Sequence, residues 1–167
     1  MKWNDENLVP ETSKFLKLKQ GENKVRIVSE VGVFGKHWID KKTIICVGKD
    51  KGCHMCVAGN LPKPQWLCWA IDRADNKIKQ WEMGYTIIQQ IQKLAQSEEY
   101  GFDDLPPYDI TVIKQGEGLE TEYSVIAARK DTPLTEVEQD EIENLPAIPE
   151  ILEKKKKPSE TTSLEPF

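Results

Sequence analysis

The stretch QWLCWAIDRADNKIKQWEMGYTIIQQIQKLAQ, residues 65–96, decides the fold. Gln65 to Arg73 is apolar and rich in aromatic and branched side chains, which suits a pleated strand. Asp75-Asn76 supplies turn chemistry, and Lys77 to Met83 alternates, so it pairs back as a hairpin. The period then changes. Ile87, Ile88, Ile91, Leu94 and Ala95 recur at helical spacing and Gly101 closes the segment, which predicts one helix over 85–97.

Working outward, Phe15-Leu16-Lys17-Leu18 and Lys24 to Val28 read as one strand interrupted at Gln20 to Asn23. His37 to Cys46 reads as a second strand or hairpin arm. Tyr108 to Lys114 and Glu122 to Arg129 form a hairpin around the Gly116-Glu117-Gly118 turn. The order is strands, a Cys-rich insertion, strands, one helix and two strands. It predicts a mainly β fold, a five-stranded oligonucleotide/oligosaccharide-binding (OB) barrel with one helix and a metal-binding loop subdomain. Three segments follow: a flexible arm at 1–13, a core at 14–130 with the metal insertion at about 36–60, and a tail at 131–167. Within the tail, Pro133 to Glu143 suits a short amphipathic helix with Thr135 at its N-cap and Glu138 three residues on. Beyond it, Pro146, Pro149, the run Lys154–Lys157 and a Ser/Thr stretch predict a largely disordered, mobile end.

The chain has 167 residues and a formal charge of −5, which taken alone argues against a nucleic-acid partner. Resolved along the sequence, the argument reverses. Residues 131–167 carry 4 basic and 10 acidic groups, whereas residues 14–93 carry 15 and 7. A basic body joined to an acidic tail is compatible with a polyanionic ligand. No apolar run is long enough to span a bilayer, and Met1 to Lys17 has no secretory h-region, so the expected setting is cytoplasmic with no membrane partner. Four cysteines without a signal peptide point to metal or buried thiols rather than disulfides.

Cys53-x2-Cys56 places two thiolates where both reach one tetrahedral ion, and Gly52 gives the turn its freedom. Cys46 and His37 are the nearest upstream candidates for the remaining ligands. His54, between the paired cysteines, should point away, and Cys68 in an apolar strand reads as a small buried hydrophobe. Four protein ligands leave no open position, so the site reads as structural Zn2+.

In an alternating strand Lys77, Lys79 and Trp81 share a face, offering two ammoniums and an indole of the kind that follows a phosphate chain and stacks a base. Trp38 and Lys42 are expected to share a face of the second strand. Arg26, Lys36, Lys41, Lys49, Lys51 and Arg73 add charge, and Tyr85 and Tyr108 complete the candidate DNA-binding set. The bland alternative makes the tryptophans core and the lysines a solvated face, and for Trp69 between Leu67 and Ile71 it is preferred. No phosphate-cradling glycine loop or nucleophile–base pair is evident, so no enzymatic activity is expected.

The run from Phe15 to Ser29, followed by His37, Cys46 and Cys53-His-Met-Cys56, resembles the zinc-containing single-stranded DNA-binding proteins of large tailed phages. Ala70-Ile-Asp-Arg73, Tyr100-Gly101 and Tyr108 to Lys114 add to the likeness. It implies an OB core, zinc on His37, Cys46, Cys53 and Cys56, and an acidic C-terminal segment that contacts replication and recombination proteins. The N-terminal arm departs from the basic arm that those proteins use for cooperative binding. The final Glu165, Pro166 and Phe167 resemble the partner-recruiting tip of bacterial single-stranded DNA-binding proteins. The expected function is sequence-independent binding of single-stranded DNA in phage replication, recombination and repair. An RNA-binding OB protein and a zinc-stabilised protein-interaction adaptor are the alternatives.

Overall fold

The computed structural model describes residues 2–4, 14–39, 42–48 and 52–156. Among the described residues, seven antiparallel strands form one sheet: β1 (Gly21–Ile27), β2 (Gly32–Ile39), β3 (Lys42–Ile45), β4 (Lys63–Asp72), β5 (Lys77–Met83), β6 (Ile110–Gln115) and β7 (Glu122–Ala127). Four helices accompany them: α1 (His54–Val57), α2 (Tyr85–Gln96), α3 (Glu136–Glu143) and α4 (Ile148–Lys156). The fold is mainly β, as the sequence predicts, with seven strands in place of five.

The extra strands have a simple origin. β1 and β2 run in line along the same edge of β4, with Ile27 opposite Ala70 and Gly32 opposite Leu67. Five steps on one strand face three on the other, so residues 28–31 are a bulge that bends a single long strand. The Ser29 hydroxyl accepts the Trp69 N–H at 2.7 Å there, replacing a backbone carbonyl. The second addition is β3, which pairs back antiparallel on β2, with Ile39 opposite Lys42. Counting β1 and β2 as one and setting β3 aside leaves an OB-like order. β4 and β5 follow the bent strand, α2 comes next, and β6 and β7 return along the other edge of β1. The expected strand at 15–18 is reduced to a parallel bridge from Phe15 to Gln80, with Leu16 N–H donating to the Gln80 carbonyl.

The inner core gathers Val25, Ile27, Cys68, Ala70, Trp81, Met83, Ile110 and Val112 beneath Ile87 and Ile91 of α2. From that helix Gln90 also reaches the outer edge of β7. Its amide accepts from Val125 N–H at 2.8 Å and donates to the Tyr123 carbonyl at 2.7 Å, as a neighbouring strand would.

Residues 131–156, expected as part of a mobile tail, are instead folded onto the sheet. The Thr135/Glu138 capping box is present. α4 buries Ile148, Ile151 and Leu152 against Phe34 and Leu67 on the outer face of β2 and β4. Its seat is Gly32, where a Cβ would lie 2.6 Å from Leu152 Cδ1 and 2.7 Å from Ile148 Cγ2. Pro149 does not prevent the helix because it falls in the first turn, where the missing N–H has no intrahelical partner.

Candidate functional site

β2, β3 and the 46–60 segment bring His37, Cys46, Cys53 and Cys56 together, with their ligand atoms all within 4.8 Å of one another. Cys46 Sγ lies 3.8 Å from Cys53 Sγ and 3.5 Å from Cys56 Sγ, and His37 Nε2 lies 3.4 and 3.6 Å from Cys53 and Cys56 Sγ. Zn–S and Zn–N bonds of about 2.3 and 2.05 Å give a tetrahedron with edges of roughly 3.8 Å (S–S) and 3.6 Å (S–N), so these residues fit the ion. His37 Nδ1 faces Asn60 Oδ1 at 3.2 Å, and Asn60 Nδ2 in turn donates to the Trp38 carbonyl. That contact orients the ring with Nε2 toward the thiols. Gly52 takes the φ of +81° that the turn before Cys53 needs.

The thiols are electrostatically unequal. The backbone N–H of Cys56 leads the groups that hold Cys53 at about 6, against burial. Burial, then the adjoining Cys46 and Cys53 sulfurs, push Cys56 up to about 12. A dication removes this conflict by favouring all three thiolates at once. Cys68 is apart from the cluster, in the core, where burial alone raises it to about 12. His54 is exposed on α1, outside the cluster.

The predicted DNA-binding residues divide sharply. Lys77, Lys79 and Trp81 do share a face, but it is the inward one: Trp81 is 1% exposed and has no ring face to offer a base. Lys79 is buried with its ammonium on Asp72 at 2.9 Å and Asp75 at 2.8 Å, pairs that together hold its pKa up against burial. Arg26 is buried on Asp109 at 3.4 Å. Arg73 binds Asp109 at 3.2 Å and Glu138 at 2.7 Å, locking α3 to the β4–β5 turn. Tyr108 is buried, donating its hydroxyl to the Tyr100 carbonyl. These five are therefore corrected from ligand contacts to structural groups. Lys42 falls opposite Ile39 and Trp38 opposite Thr43, because β2 and β3 are two antiparallel strands and not the single strand that the shared face assumed. Lys41, Lys49, Lys51, Glu165, Pro166 and Phe167 lie outside the described residues.

Trp38 and Tyr85 are both 62% exposed, and Lys36 and Lys77 remain accessible. Tyr85 opens α2 beside Trp66, with ring centroids 6.4 Å apart. It also lines a groove of about 440 Å3 between the 16–18 segment, the β5–α2 junction and β6–β7. Lys17, Lys114, Tyr85 and Tyr123 line this groove, and Glu82 is its one acidic lining residue. Sequence reasoning missed Lys17, Lys114 and Tyr123 as a group, since three distant segments meet there and no local spacing encodes that.

Among the described residues, no helix is long and apolar enough to cross a membrane. No protein-family model matches the chain. The chain is similar to a probable ssDNA-binding protein of Escherichia phage T5, at 28% identity over 141 residues. The match covers 66% of this chain and 53% of that relative, so the chain spans about half the relative's length.

Proposed function

We propose that the chain binds single-stranded DNA without sequence preference, as a non-enzymatic protein of phage replication, recombination and repair in the cytoplasm of the infected host. The observation that carries this reading is the groove, in which two lysines and two tyrosines surround a single carboxylate. Lysines that neutralise phosphates supply a salt-dependent term, with a slope of about −0.7 per phosphate on single strands. Each base stacked on an aromatic ring adds about 1–3 kcal/mol with little sequence preference. Only unpaired bases expose faces to stack, so single strands are favoured over duplex. The printed name of the phage T5 relative supports the same ligand.

Zinc on His37, Cys46, Cys53 and Cys56 is the accompanying cofactor, closed by four protein ligands and so structural in role. The acidic C-terminal residues are the surface for replication and recombination partners. Titrating oligo-dT into the full chain at several salt concentrations tests the reading. Steeply salt-dependent binding is expected, weakened several-fold by Tyr85→Ala or Tyr123→Ala. Tight binding to duplex with none to oligo-dT would refute it.

A further inference from the structure

We propose that Glu82 is an internal stand-in for a DNA phosphate, held in an anion site built by Lys36 of β2 and Lys155 of α4. On binding, a phosphate of the single strand takes over the two ammoniums. This rests on the groove being the single-stranded DNA interface.

Glu82 forms one wall of the groove. Its two carboxylate oxygens are taken separately, Oε2 by Lys36 Nζ at 2.5 Å and Oε1 by Lys155 Nζ at 3.4 Å. Two cations on one anion leave a local surplus of positive charge. Two aromatic rings stabilise that surplus. Lys155 Nζ lies 5.6 Å from the centre of Phe15 and 5.9 Å from that of Phe34, and Lys36 Nζ lies 5.6 Å from Phe34. The three charged side chains keep 20–24% of their surface in water, so the cluster is open to an incoming ligand without being fully hydrated.

Ammonium donors converging from two elements on a carboxylate present the same geometry to a phosphate oxygen, which is also anionic and accepts the same charge-assisted hydrogen bonds. Lys17 and Lys114 line the same groove as Glu82. A phosphodiester following them reaches Glu82 and meets repulsion there unless it displaces the carboxylate. Glu82 thereby weakens phosphate binding, and α4, through Lys155, completes the site as well as covering the sheet. The sequence gives no hint of this arrangement, because the residues come from positions 15, 34, 36, 82 and 155.

The test is salt-titrated oligo-dT binding by the full, zinc-loaded chain and its Glu82→Gln, Lys155→Gln, Lys36→Gln and Glu82→Gln/Lys155→Gln variants, each checked by thermal melting. Glu82→Gln should tighten binding several-fold at low salt and steepen the salt slope by about 0.7 for each phosphate newly engaged. Lys36→Gln and Lys155→Gln should each weaken binding, and the gain from Glu82→Gln should shrink in the Lys155→Gln background. A folded Glu82→Gln variant with unchanged or weaker affinity overturns the proposal. So does tighter binding by Lys155→Gln, which would make α4 a competitor of DNA. Wild-type chain that ignores oligo-dT altogether removes the underlying reading instead.

Discussion

Acid should strip the metal from the His37/Cys46/Cys53/Cys56 cluster, and Cys53 and Cys56 set a lower bound on how steeply. A thiol binds zinc only as thiolate, so every proton that a ligand holds competes with the ion. In the metal-free protein Cys56 lies at about 12 and carries its proton throughout the neutral range. Each unit of falling pH therefore costs a factor of ten from this ligand. Cys53, at about 6, is largely thiolate at pH 7 and largely protonated at pH 5, which adds roughly another factor of ten over that interval. From these two ligands alone, affinity falls roughly a thousandfold between pH 7 and pH 5. The lobe has little apolar surface to hold it otherwise, since Val57 is 70% and Leu61 82% exposed. Its backbone should loosen as metal leaves, while β4 and β5 stay protected. Competition with a chromogenic chelator across pH reads the affinity, and amide exchange over 37–60 reads the loosening. A fall of less than tenfold between pH 7 and 5, or reduced protein that takes up no equivalent of zinc, would refute the reasoning.

Further outcomes follow from the packing. Trp81→Ala should cost about 3–5 kcal/mol in denaturant unfolding, as removal of a core indole does. Gly32→Ala should unseat α4, at about 1–3 kcal/mol of overpacking, and speed tryptic cleavage after Lys155 as the helix loosens. Gln90→Leu leaves Val125 N–H and the Tyr123 carbonyl without their partner, at about 1–3 kcal/mol, and opens the β7 edge to strand addition, seen as concentration-dependent light scattering. For Glu138, burial pushes the carboxyl pKa up, but the Thr135 backbone N–H and Arg73 together hold it below its ordinary value. Its stabilisation of α3 is therefore complete above the ordinary glutamate pKa and disappears as pH falls through the lowered one. Arg73→Met should shrink that acid-dependent step in α3 protection, leaving the part that the Thr135 N–H supplies.

Periodicity located β5 at Lys77 to Met83 and α2 at Tyr85 to Gln96 because each has a pattern of its own along the chain. It did not say which face of β5 turns inward. Lysines at 77 and 79 make the face look wet, yet Lys79 enters the interior with Asp72 and Asp75 as counter-charges, and no alternation rule anticipates a pair made across a turn. The gathering of His37, Cys46, Cys53 and Cys56 was legible because Cys-x2-Cys brings two thiols together locally and the sequence has only one further Cys and one further His. α4 was obscured by two prolines, although Ile148, Ile151 and Leu152 already carry the i, i+3, i+4 spacing of a buried stripe. The groove was illegible because it exists only where the 16–18 segment, β5 and β6–β7 meet.

β2 performs two tasks through parity alone. Its odd positions serve the Cys-rich side: His37 joins the three-cysteine cluster, and a Cβ at Gly35 would press on Pro62 at 2.9 Å and Cys46 at 3.1 Å. Its even positions serve the outer face: Phe34 seats α4, Lys36 grips Glu82 and Trp38 faces solvent. Inserting or deleting one residue within Gly32–Ile39 would exchange the two sets and disable both at once. A change of length should therefore be tolerated better at the bulge at 28–31 than within Gly32–Ile39, where parity has to be kept.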